Sequence, residues 1–144
     1  MPFQIIRNDI TKVEADAIVN TANPIVTYAG AVDRSIYLAA GTEELLKERE
    51  KIGPISVGEA ACTPAFNLHA KYIIHTVGPV WNDGQHGEAE ALRSCYRNSL
   101  KIALGLECES IAFPLIATGA YGYPKDRAME AAFQKFISFC FSMK

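Results

Sequence analysis

The passage at residues 110–125, SIAFPLIATGAYGYPK, constrains the fold more than any other stretch of the chain. A continuous apolar run over residues 110–116 predicts a strand covered on both faces. Residues 117–124 form a loop punctuated by Gly119 and Gly122. Met129, Ala132, Phe133, Phe136, Ile137 and Cys140 then recur at helical spacing. Strand, short loop and helix in this order make the repeating half-unit of an α/β sheet.

The rest of the chain repeats that alternation. Residues 3–7 (FQIIR), 17–20 (AIVN), 59–63 and 71–77 (KYIIHTV) predict strands. Val32, Ile36, Ala39 and Ala40 predict a helix stopped by Gly41, and Thr42 opens a second that ends near Gly53. Leu92, Cys95, Tyr96, Ser99, Leu100, Ala103 and Leu104 mark one face of a longer helix. No linker, repeat or low-complexity segment divides the 144 residues, so the expected fold is one α/β domain with helices on both faces of a mixed sheet.

With 14 Lys and Arg against 16 Asp and Glu, the chain lacks the clustered basic face that duplex nucleic acid requires. Arg7, Asp9 and Lys12 break any apolar run at the N-terminus, which excludes a signal peptide or spanning helix there and points to the cytoplasm. Cys62, Cys95, Cys108 and Cys140 show neither C-x-x-C nor zinc spacing and read as buried free thiols. His69 and His86 lie in loops with no evident ligand partner, so no metal is expected. His75, mid-strand, reads as a core histidine and Trp81 as a partly buried anchor. The terminal turn is apolar on several sides, since Phe139 and Phe141 fall off the helical stripe.

Two stretches carry candidate chemistry. Glycines at 119 and 122 permit positive φ and close approach of a ligand, and successive N–H groups beside a helix N-terminus form a nest for phosphate. No Gly-Lys-Ser/Thr follows, so this is not a Walker loop, and an ordinary glycine-containing turn is the competing reading. In NTANPIVTYAGAVD, residues 20–33, Asn20 and Asn23 leave a strand and Asp33 opens a helix. Asparagines suit sugar hydroxyls and the carboxylate suits water activation. The same residues also fit turn hydrogen bonding and helix-dipole compensation. Asp9 either caps a turn or accepts from an exocyclic base amine.

Taken in order, RNDIT (7–11), AIVNTAN (17–23), GAVDRSIYLAAG (30–41), IIHTVGPVW (73–81) and SIAFPLIATGAYGYP (110–124) resemble the macro domain family, closest to its MacroD-like branch of O-acetyl-ADP-ribose deacetylases. The resemblance implies a three-layer α/β/α domain over residues 1–144 that holds ADP-ribose at the strand ends. Because the family continues with one more strand and helix, it also implies a domain incomplete at its C-terminus. Carried over by position, Asp9 would read the adenine amine with Ile10 beside it. Asn20 and Asn23 would stand near the distal ribose, and Asp33 would fall on the catalytic aspartate, with Asn23 as its partner. Gly30, Ala31 and Val32 would approach the diphosphate and ribose, and Ala117, Thr118, Gly119, Ala120, Tyr121 and Gly122 would wrap the diphosphate. Tyr28-Ala29-Gly30-Ala31 replaces the branch's run of glycines. The implied activity is hydrolysis of an ester at the distal ribose, on ADP-ribosylated protein or O-acetyl-ADP-ribose, without metal or cofactor. The competing class is a non-catalytic ADP-ribose reader.

Overall fold

The computed structural model describes residues 4–142, with side chains through residue 138. After a 3₁₀ turn at Ile10–Lys12, the chain runs through β1 (Ala17–Thr21), α1 (Ala31–Ala40), α2 (Thr42–Ile52), β2 (Ala60–Pro64), β3 (Tyr72–Thr76), α3 (Glu88–Gly105), β4 (Ile111–Ala112) and α4 (Lys125–Ser142). The strands lie in the order β2-β3-β1-β4. β1 is parallel to β3 and β4, whereas β2 runs antiparallel to β3.

Alternation along β1 divides the core. Ala17 and Val19 join Ile74, Leu92, Cys95, Tyr96 and Ile116 beneath α3 and α4. Ile18 joins Ile36, Tyr37, Leu45 and Ile73 beneath α1 and α2. Helices therefore cover both faces, as the sequence predicts, and each buried Ile or Leu contributes about 1.5–3 kcal/mol. Asn20 shares the α1-facing side with Ile18, and its register partner on β3 is His75. That parity is what brings two polar side chains to α1.

Five expectations are corrected. Residues 4–7 form no strand, and Ile5 and Ile6 stand 70% and 54% exposed, because no described strand lies beside them; Phe3 lies outside the described residues. The strand expected over 110–116 pairs only at Ile111–Ala112, and Pro114 has no N–H to extend the ladder. On α4 the buried residues are Ala128, Ala131 and Ala132, with Phe136 packed against them, while Met129 and Ile137 are exposed. Small side chains let this helix approach α3 closely, and that rotates the larger ones outward. Leu104 is likewise exposed at the end of α3. Cys95 is a buried free thiol, whereas Cys62 and Cys108 are only half-buried. The side chains of Phe139, Cys140 and Phe141 lie outside those described. Among the described residues, no helix is long and apolar enough to cross a membrane.

Candidate functional site

β1, β3 and β4 point their carboxyl ends the same way, and open α/β sheets bind ligands at that end. Asn20 ends the buried part of β1, Asn23 follows two residues past the strand, and Gly30 (φ 99°) turns the chain into α1. No atom lies within 4 Å of where a Gly30 side chain would begin, so only the backbone conformation demands glycine there. Ala31 and Val32 fill the first turn of α1, and Asp33 completes it.

The Asp33 carboxylate is 2% exposed and lies between the two asparagines. Asn20 Nδ2 donates to its Oδ1 at 2.7 Å, and Asn23 Nδ2 donates to its Oδ2 at 2.9 Å. Asn23 gives its other amide proton to the Ala29 carbonyl at 2.9 Å, so what it can offer a ligand is its own carbonyl oxygen. Burial raises the Asp33 pKa above the usual carboxylate value, against the pull of the two amides and the Arg49 charge. A raised value makes Asp33 a stronger base than a surface aspartate.

Behind this pair runs a chain of buried polar groups. Asn20 Nδ2 lies 3.1 Å from His75 Nδ1, and His75 Nε2 lies 3.0 Å from Thr63 Oγ1. One assignment satisfies every contact: Asn20 donates to Nδ1, Nε2–H donates to Thr63, and the Thr63 hydroxyl donates to the Pro64 carbonyl at 3.1 Å. It requires a neutral imidazole, and burial, helped by Arg49, pushes the His75 pKa down to about 3. The core-histidine reading of His75 holds. Both Asn20 amide protons go to Asp33 and His75, and its Oδ1 is buried with no donor facing it among the described residues. Tyr37, with its pKa raised to about 12 by burial and then by Asp33, stays neutral and stacks on Tyr28 at 5.0 Å. Tyr28 is thus held against α1.

The second part of the site is the loop at 117–124. The left-handed region is occupied by Ala117 (φ 68°) and Gly122 (φ 75°) and not by Gly119, contrary to expectation. For alanine that conformation costs about 1–2 kcal/mol, and such strain gathers at functional loops. Thr118 Oγ1 donates to the Leu115 carbonyl, Gly122 N–H to Gly119, and Tyr123 N–H to Ala117, which closes the loop on itself. Gly119 and Ala120 are exposed at its tip, and Tyr121 is half-buried. Trp81 N–H donates to the Tyr121 carbonyl at 2.8 Å, and the Trp81 ring meets Tyr123 edge-on with Arg127 above it. Trp81 is indeed a partly buried anchor.

Gly78 adjoins this loop from the end of β3. A methyl there would stand 2.9 Å from Ile116 Cγ2 and 3.0 Å from Ala117 Cβ. Gly78→Ala is expected to cost about 1–3 kcal/mol in chemical denaturation. Unchanged stability would show that the loop yields freely.

Some contributors escaped the sequence reading. Glu88 accepts from the backbone N–H groups of Asn82, Asp83, Gly84 and His86, organising the loop that carries Trp81. Burial would raise its pKa, but the backbone N–H groups of Gly84, Asn82, Glu88 itself and His86 hold it down to about 2. The donor atoms of Asp83, His86 and Glu88 lie within 4.8 Å of one another, so His86 does have carboxylates at ligand distance. Glu88 is already committed to the backbone there. Buried Arg49 was missed too; its signal is a charged residue four positions after Leu45 on the buried face of α2. Asp9 caps the turn at Ile10–Lys12, accepting from Thr11 N and Oγ1 at 3.0 and 2.8 Å, which lowers its pKa. Ile10 packs against the Ile18 cluster, and the turn abuts α1. A shallow, open depression at the opposite end of the strands is lined by Glu14, Asp16, His69, Lys71 and Ser110 among others.

A sequence profile described as Macro domain matches residues 19–132. The chain belongs to the macro domain family. The Macro domain-containing protein CT2219 of Chlorobaculum tepidum is 47% identical over 150 residues, covering 95% of this chain and 87% of that protein. The O-acetyl-ADP-ribose deacetylase of Citrobacter rodentium is 47% identical over 140 residues, covering 95% and 79%. Among solved structures, a Trypanosoma brucei macrodomain in complex with ADP-ribose superimposes with a TM-score of 0.87 at 37% identity, over 94% of this chain and 56% of that one. The three-layer architecture is therefore that of a macro domain, and the Asn20–Asp33–Asn23 cluster and the 117–122 loop both follow the carboxyl ends of neighbouring parallel strands, β1 and β4.

Proposed function

We propose that this macro domain binds ADP-ribose and hydrolyses an ester at its distal ribose. The observation that carries the reading is the buried Asp33 carboxylate gripped by Asn20 and Asn23, past the end of the strand next to the one that leads into a strained loop and a helix N-terminus. Relatives named O-acetyl-ADP-ribose deacetylase at 45–47% identity support the reaction class. In this reading the N–H groups of residues 118–121 hold the diphosphate, and the Asn23 side-chain oxygen Oδ1 accepts from a ribose hydroxyl. Ala31 and Val32 line the approach, and Asp9 with Ile10 bounds the adenine end.

In the reaction, water adds to the acyl carbon while Asp33 takes its proton. The carbon–oxygen bond to ribose then breaks, and the ribose oxygen leaves with a proton. The products are a carboxylic acid and a free ribose hydroxyl. Binding energy from the remote diphosphate orients the ester for attack. No step calls for a metal or redox cofactor.

A second reading, a non-catalytic reader, draws on the fact that both Asp33 oxygens already accept hydrogen bonds and the residue is 2% exposed. Calorimetric titration with ADP-ribose, with AMP as control, tests what the two share. Micromolar binding that AMP does not match is expected. Equal affinity for both, or none for either, would overturn both readings.

A further inference from the structure

Arg49 sits in the last turn of α2 and is only 1% exposed. A buried guanidinium is costly unless its donors are met and its charge is answered. Here Nη1 donates to the Gly53 carbonyl at the end of its own helix, and Nη2 donates to the Asn23 carbonyl at 2.9 Å. Asn23 in turn holds Asp33 Oδ2 at 2.9 Å. The fork therefore ties the end of α2 to the loop after β1, and its charge reaches Asp33 through one intervening residue. Anchoring two carbonyls accounts for the geometry, and the same positive charge acts on Asp33 across the Asn23 bridge, opposing the burial that raises the Asp33 pKa.

We infer that Arg49 is a positioning residue for the Asn23–Asp33 pair, fixing the Asn23 backbone and facing Asp33 with the balancing positive charge. Its consequence for ligand and turnover rests on the function proposed above. The other groups around Asp33 do not compete for this role. From β1 and its loop come the neutral amides of Asn20 and Asn23; from β3 comes His75, uncharged above about pH 3; from α1 comes Tyr37, neutral up to about pH 12.

The test uses the full chain labelled with ¹³C-aspartate, following the Asp33 carboxyl through a pH titration by NMR and assigning its signal with Asp33→Asn. Arg49→Met keeps a similar stem and removes the charge and the fork. Its Asp33 midpoint is expected to rise by roughly one unit or more. Arg49→Lys keeps the charge and loses the planar fork, so its Asp33 midpoint should stay near the parent value while ADP-ribose binding weakens about tenfold. A folded Arg49→Met whose Asp33 midpoint does not move overturns the inference. Should Arg49→Met not fold, Arg49→Lys decides, and parent-like ADP-ribose affinity in that variant overturns it. The titration needs neither ligand nor turnover. A parent chain that fails to bind ADP-ribose would therefore sink the functional reading while leaving the Asp33 midpoints to judge Arg49.

Discussion

Asp33→Ala is expected to slow ester hydrolysis by about 10²–10⁴-fold, the span that a positioned general base supplies, while ADP-ribose affinity changes only a few-fold. A thousandfold loss corresponds to about 4 kcal/mol of barrier. The asymmetry follows from geometry. Asp33 is buried behind Asn20 and Asn23, whereas the loop assigned to the diphosphate is built from residues 117–124 and buttressed by Trp81. Removing the carboxylate deprives water of its base without touching that loop. Release of acetate from an acetylated ADP-ribose under single-turnover conditions reads the first quantity, and calorimetry reads the second. Parent-like acetate release from the variant would remove Asp33 from the chemistry. A parent that binds tightly and releases none would leave the reader function standing. The pH profile gives an independent check: a base works deprotonated, so activity should climb with pH through a midpoint above the usual carboxylate value of 3.8, since burial raises Asp33.

How much of this was legible in the sequence depends on whether the signal is local. The glycines at 41 and 53 close α1 and α2 where the residue pattern stops them, because a C-terminal glycine acts through its own φ (119° and 79°). Strand extent is a property of the neighbour. Nothing within FQIIR says that no strand will lie beside it, and within SIAFPLI only Pro114 warns that the pairing with β1 will stop after two residues. The candidate site follows the same division. Asn20, Asn23 and Asp33 lie in one short stretch and could be nominated together. Arg49 and His75 reach them from 26 and 55 residues away along the chain, through contacts that only folding creates. The face of α4 shows a third kind of failure. Periodicity favours the largest apolar residues as the stripe, but alanines 128, 131 and 132 win the interface because they let the backbones close in.

The cluster also imposes a cost on the fold. A raised Asp33, an unpartnered Asn20 Oδ1 and a left-handed Ala117 each work against stability. A maximally stable core would hold none of them, and their concentration past the carboxyl ends of the strands supports the proposed site over inert packing.

Acid should expose the other weakness of this arrangement. His75 is fully buried and its pKa is held at about 3, against 6.5 in the unfolded chain. Between those values the unfolded state binds the extra proton, so the stabilisation is complete above pH 6.5 and is lost as the pH falls toward 3. The slope approaches 1.4 kcal/mol per pH unit, so a fall from pH 6.5 to 4.5 should remove about 2–3 kcal/mol. Asp33 works in the opposite sense: its pKa is raised by burial, so it returns some stability as the pH falls and it protonates in the folded chain before it would in the unfolded one. Glu88 adds to the loss lower down, between 4.5 and about 2, as its four backbone donors lose an anion. Urea denaturation of the parent and of His75→Gln at pH 7 and pH 4.5 isolates the imidazole. The parent is expected to lose at least twice as much stability as the variant over that interval, and equal losses would clear His75 of the effect. The same proton would fall on Nδ1, the atom that accepts from Asn20, so an imidazolium can no longer hold the amide that grips Asp33. Acid loss of the fold and acid loss of the Asp33 geometry therefore begin at one nitrogen.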